Sequence, residues 1–216
     1  MYKGIYAALS GATLRSSEMD SVANNIANVN TAGYKRTTFS SRLYPLLEEK
    51  TVNSKDFLYS NAKDMTYFGQ YSIDKSQGNI KTTGNPLDLA VNGEGFFAIQ
   101  AQNKTLYTRN GSFTIDKEGY IATNDGRRVL DTANQTIRVQ GNTVNVASDG
   151  SVYVDGNNAG KLKVAALNNI LHVSDSLFSG NETGAANGEV MQGTIEMSNV
   201  NPIREMVGVI NALRLY

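Results

Sequence analysis

The sequence predicts a mainly β protein with terminal α-helices: an antiparallel β sandwich or barrel-like domain flanked by N- and C-terminal coiled-coil helices. Two observations predict this. Apolar residues recur at helical spacing near both ends of the 216-residue chain. Between the ends the period falls to 2, in short runs separated by Asp-Gly, Asn-Asp-Gly and Gly-Asn turns.

The N-terminal helix is read over about residues 3–29. Ile5, Leu9, Ala12, Ser16, Met19, Ala23 and Ile26 form a seam with the alternating four–three spacing of a heptad. Lys3, Arg15, Glu18 and Asp20 lie opposite, and Asn28, Asn30 and Gly33 supply stop signals. Ser16 and the alanines dilute this seam.

At the other end, Asn201-Pro202 is a helix start, with Asn as N-cap and Pro in the first helical position. Ile203, Met206, Val207, Ile210 and Leu213 then recur at helical spacing toward Tyr216. Either stripe also fits a helix packed on its own domain. For the N-terminal helix, burying its four large apolar side chains contributes about 1.5–3 kcal/mol each. Fixing its backbone costs on the order of 1–2 kcal/mol per residue before hydrogen bonding offsets part of it. The helix therefore needs a partner surface, either the other terminal helix or a neighbouring molecule.

In the middle, strands are expected at residues 87–91, 96–100, 105–109, 112–115, 120–123, 128–130, 136–140, 143–147, 151–154 and 161–166. The expected division is 1–33 for the N-terminal helix, 34–82 for an extended, partly ordered linker, 83–198 for the β domain and 199–216 for the C-terminal helix. The linker is irregular but carries Phe39, Tyr44, Phe57, Tyr59, Tyr67, Phe68 and Tyr71. Residues 174–189, polar and Gly-rich, are read as an exposed loop.

Composition narrows the function. Lys+Arg and Asp+Glu both number 20, so net charge gives no reason to expect nucleic acid or an anionic membrane as partner. The absence of Cys excludes thiol catalysis and Cys-ligated metals. No apolar run reaches the roughly 20 residues of a membrane span. Ser10, Gly11, Thr13 and Arg15 break the first apolar run too early for a signal peptide, so export would proceed without a cleaved one.

No catalytic, cofactor or metal site is expected. His172 is the single histidine, and its closeness in sequence to Ser174 and Asp175 does not make a triad. Gly93-Glu94-Gly95 lacks the third glycine and the following helix of a dinucleotide fingerprint. Asp116, Glu118 and Asp125 lack calcium-loop spacing. Arg109, Arg127 and Arg128 are too few for a nucleic-acid surface. A cell-wall-cleaving enzyme would need a carboxylic acid in a cleft, and the available Glu94 and Glu118 sit at turns. A stand-alone binding module, an adhesin-like β domain with helical ends, remains the alternative.

Three blocks in order resemble the flagellar rod and hook family. The first runs from Ser21-Val22-Ala23-Asn24-Asn25-Ile26-Ala27-Asn28 through Gly33-Tyr34-Lys35-Arg36. The second runs from Thr83 to Ile99 and resumes from Tyr107 to Leu130. The third is Met197-Ser198-Asn199-Val200-Asn201-Pro202-Ile203-Arg204-Glu205-Met206-Val207. Within the family, Gly160–Val164, Leu177-Phe178 and the 201–207 stretch resemble the proximal rod more than the distal rod. Glu196-Met197-Ser198-Asn199 suits the distal rod as well.

The resemblance implies a structural subunit of the periplasmic rod of the bacterial flagellum basal body. It implies export by the flagellar type III apparatus and assembly into a helical tube, the drive shaft. The expected partners are further copies of the chain, other rod proteins, hook proteins and the export apparatus, with no nucleic acid and no small-molecule substrate. The termini would form the inner coiled-coil layer. The expected interface is Ile5, Leu9, Ala12, Met19, Ala23, Asn24, Asn25, Ile26 and Asn28 with Ile203, Met206, Val207, Ile210 and Leu213. Asn24, Asn25, Asn28 and Asn30 carry amides that can bond neighbouring backbones in such a tube, although capping and turn roles use the same residues. Family members continue past the position of Tyr216, so the C-terminal helix is expected to be cut short or to build a shortened inner layer.

Overall fold

The computed structural model describes residues 2–44, 66–101, 104–174 and 176–214. The change of hydrophobic period along the sequence becomes a change of architecture. α1 (Tyr2–Ala27) and α2 (Pro202–Arg214) occupy the ends, and every strand lies between them. At about 1.5 Å per residue, α1 is about 39 Å long and α2 about 20 Å. Asn201 caps α2 as its residue type demands: its Oδ1 accepts from the N–H groups of Ile203 and Arg204 at 3.1 and 3.2 Å.

β1 (Thr37–Tyr44) and β2 (Thr66–Ile73) form a two-stranded ribbon in unbroken register from Thr37↔Ile73 to Tyr44↔Thr66. Then follow β3 (Ile80–Thr82), β4 (Leu89–Asn92), β5 (Phe96–Ala101), β6 (Lys104–Thr108), β7 (Phe113–Ile115) and β8 (Ile121–Thr123). β9 (Val144–Val146), β10 (Ser151–Val154) and β11 (Asn157–Lys161) make a three-stranded sheet. β12 (Val164–Ser174), β13 (Leu177–Ala185), β14 (Glu189–Gln192) and β15 (Thr194–Glu196) complete the order. Among the described residues the strand pairings are antiparallel. β12, β13, β6 and β5 close into a small barrel, with β4–β14, β3–β15 and β7–β8 as separate pairs.

The strand period explains the core. Phe96 and Phe97, adjacent in β5, project to opposite sides and join different apolar clusters. Phe97 meets Phe113 edge-on at 5.3 Å in the larger cluster, with Leu89, Ile99, Ile121 and Leu162 around them. Phe96 meets Phe178 at 5.3 Å in the smaller one. Local turn chemistry acts as read at Asp155-Gly156: φ values of 48° and 85° and the Val154↔Asn157 pair describe a two-residue hairpin.

Two expectations need correction. Residues 174–189 are not a loop, because β13 runs from Leu177 to Ala185 and pairs with β12. Leu177 and Phe178 anchor its start in the core, and beyond them β12 satisfies its backbone while polar side chains stay in water. Residues 128–130 and 136–140 pair through isolated bridges, such as Ile99↔Val129 and Leu130↔Thr136, rather than as strands. Within 34–82 the ribbon and β3 are ordered, while Phe57 and Tyr59 lie outside the described residues.

Candidate assembly interface

A buried ionic clasp fixes how the helical ends meet the β domain. Glu196, the last residue of β15, pairs through Oε1 with Lys35 Nζ at 2.6 Å and through Oε2 with Arg109 Nη1 at 2.8 Å. All three side chains are at most 2% exposed. Further hydrogen bonds engage most of the other polar groups, although Arg109 Nε is buried without a hydrogen-bond partner. Lys35 Nζ donates to Ser76 O at 2.6 Å, and Gly78 N to Glu196 Oε1 at 2.8 Å. Arg109 donates to Val91 O and Gly93 O at 3.0 and 2.6 Å, and its guanidinium lies 5.2 Å from the Phe96 ring centre. Burial pushes the Lys35 ammonium below its usual pKa, with Glu196 opposing that shift.

Beside it, a second network ties α1 to α2. Asn25 accepts from Thr37 N at 2.9 Å and donates to Thr37 O at 2.8 Å, matching both backbone groups of that residue. Its amide also donates to Glu205 Oε2 at 3.2 Å and accepts from Tyr34 OH at 3.1 Å. Glu205 in turn pairs with Arg36 Nε at 2.5 Å. Asn199 accepts from Arg36 N and donates to Asp74 O and Ser76 O. The three sequence blocks that resemble the rod family therefore meet in space here.

These contacts decide which way α2 faces. Glu205 and Ala212 are buried, and a Cβ at Gly208 would lie 3.7 Å from Val22 of α1. The apolar stripe points away: Ile203, Met206, Val207, Ile210 and Leu213 are 51–73% exposed. On α1, Leu9 is 58% exposed, Ala23 and Asn24 are exposed, and Ala12, Met19, Ile26 and Asn28 are half-buried. Ile5 lies on α1, and its side chain is outside the described residues. Asn25 is buried within its own chain, whereas Asn28 donates to Asn24 O and accepts from Thr31, a helix-end role.

A cavity of about 480 Å³ opens on another side of α1. Asp20, Asn24 and Asn28 line its helical wall, Thr37, Tyr71 and Ile73 the ribbon wall, and Ile170, Leu171 and His172 the β12 wall. Leu171 and Val173 are 62% and 52% exposed. The His172 ring lies 4.7 Å from Phe178 and 5.2 Å from Tyr34, in an aromatic packing position. Asp175 lies outside the described residues. Glu118 pairs with Arg128 at 2.6 Å in the β7–β8 turn, and Glu94 lies exposed at the β4–β5 turn.

The sequence reading missed Lys35, Arg109, Glu196 and Glu205 as a connected set. A signal was present in β15, where Thr194 and Glu196 occupy the buried face while Ile195 is only half-buried. A polar residue on the inward side of a short strand needs a partner.

Three family models match the chain: the flagella basal body rod protein at residues 5–35, the flagellar hook protein FlgE/F/G D1 domain at 90–154, and the flagellar basal body rod FlgEFG protein C-terminal at 191–216. A flagellar basal-body rod protein FlgF of Caulobacter vibrioides is 33% identical, covering 100% of this chain and 90% of that protein. FlgG rod proteins of Bacillus subtilis and of Buchnera aphidicola subsp. Baizongia pistaciae are 30% and 31% identical, covering 99% and 100% of this chain and 91% and 92% of theirs. Relatives of both kinds match at the same level. With the helical ends, the β domain between them and the matched blocks joined in one clasp, the chain belongs to the flagellar basal-body rod protein family.

Proposed function

We propose that this chain, a structural subunit of the flagellar basal-body rod, joins its neighbours through the outward apolar faces of its end helices. The observation that carries the reading is the orientation of α2: Glu205 and Ala212 face inward while five large apolar side chains face water. A helix that serves only its own domain turns its apolar stripe inward. Five such residues on one helix face form a patch of the kind that marks an interaction surface.

The finer reading is a coiled-coil inner layer in a helical tube, with the β domain outside. Leu9, Ala12, Met19, Ala23 and Ile26 of α1, with Ile5 ahead of them, would contribute alongside the α2 stripe. Further copies of the chain and other rod and hook proteins are the partners, and the flagellar type III apparatus is the export route. Family membership supports these assignments.

Sedimentation and negative-stain imaging of concentrated protein test the reading. The wild-type chain should form multimers or fibres, and a variant carrying I203S, V207S and I210S should stay monomeric with nearly unchanged thermal unfolding. Assembly of that variant at wild-type concentration overturns the reading.

A further inference from the structure

A helical polymer of identical chains needs two different complementary patches on each copy. A patch that pairs with itself across a two-fold axis closes a dimer and stops. The α2 stripe is one patch. We propose that the second is the cavity between α1, the β1–β2 ribbon and β12, and that it receives α2 of another copy of this chain. The proposal rests on the reading of α2 as an assembly face.

A chain's own α2 cannot fill the cavity, because Glu205 and Gly208 hold it against Asn25 and Val22 on a different face of α1. The open side instead offers Tyr71 and Leu171, each half or more exposed. At about 480 Å³ the cavity has room for a few aliphatic side chains, such as Ile203, Val207 and Ile210 from successive turns of one helix. Charge agrees with the pairing. Asp20 is the charged residue lining the cavity, and Arg204 is exposed next to Ile203 on α2. Asn24 and Asn28 leave a polar rim on the helical wall.

The chain contains no cysteine, so paired cysteines report the contact without background. L171C and I210C variants of the full chain are mixed under assembly conditions and mildly oxidised. The expected product is a disulfide between the two variants, with neither variant linking to itself and a ladder of multimers when both changes share one chain. As a check independent of cysteine, D20R should weaken association about tenfold and R204E in the partner copy should restore it. If assembly persists while I210C links only to itself or to L9C, the cavity assignment falls and the α2 assembly face stands. If no variant and no wild-type chain associates, the proposed function falls with it.

Discussion

Lys35 and Glu196, 161 positions apart, meet with Nζ and Oε1 2.6 Å from each other and neither side chain exposed above 1%. Arg109 reaches the other oxygen of the same carboxylate. One carboxylate thus balances two buried cations, and the three residues fall one in each of the three stretches that the family models match.

That imbalance predicts an asymmetric response to mutation. E196A leaves two buried cations without an anion and should destabilise the fold by about 3–5 kcal/mol. K35M leaves Glu196 paired with Arg109 and removes one cation, so its cost should stay within about 2 kcal/mol. Denaturant unfolding of the two variants checks the order. Equal costs, or a larger cost for K35M, would contradict the clasp.

Gly33 should tolerate no side chain. Its φ is +68°, and a Cβ would stand 2.1 Å from Asn110 N, a backbone atom that cannot rotate away. Its N–H also donates to Glu196 O at 2.8 Å. G33A should cost more than about 2 kcal/mol and loosen the N-terminal block from the β domain. Hydrogen exchange should then accelerate at Gly33 and in the C-terminal turns of α1, while β5 keeps its protection.

Asp149 should titrate at about 2 rather than at the usual 3.8. Its carboxylate accepts from Ser151 N at 3.0 Å and Ser151 Oγ at 2.8 Å, with Lys161 Nζ at 3.1 Å. A carboxylate whose pKa is lowered by folding stabilises the native state above its unfolded pKa. Its contribution is therefore complete above about pH 4 and lost as pH falls toward about 2. Carbon-detected NMR of the carboxyl resonance measures this directly. D149N should flatten that part of the acid unfolding curve.

Much of the fold was legible because its causes are local. Asn201-Pro202 starts a helix wherever the following residues are periodic, and Asp155-Gly156 turns a hairpin through its own φ preferences. β13 was illegible because its strand state comes from β12, while its own residues from Ser179 to Thr183 are polar and hold two of their five places with Gly180 and Asn181. The outward α2 stripe, the proposed assembly face, was half legible. Ile203, Met206, Val207, Ile210 and Leu213 announce a stripe, but periodicity does not say whether a stripe faces its own domain or a neighbour. Buried Glu205 turns the stripe away from the rest of the chain, and its partners Arg36 and Asn25 are 169 and 180 positions away. Asn25 shows the reverse: a residue whose type suits an intermolecular amide is held by Thr37 of its own chain.

The most direct measurement is an electron cryomicroscopy map of the assembled basal body with this chain traced. The α2 side chains from Ile203 to Leu213 should lie buried against neighbouring subunits, with the Lys35–Glu196–Arg109 cluster intact inside each copy. A map in which that stripe still faces open solvent, with subunits joined only through their β domains, would contradict the account.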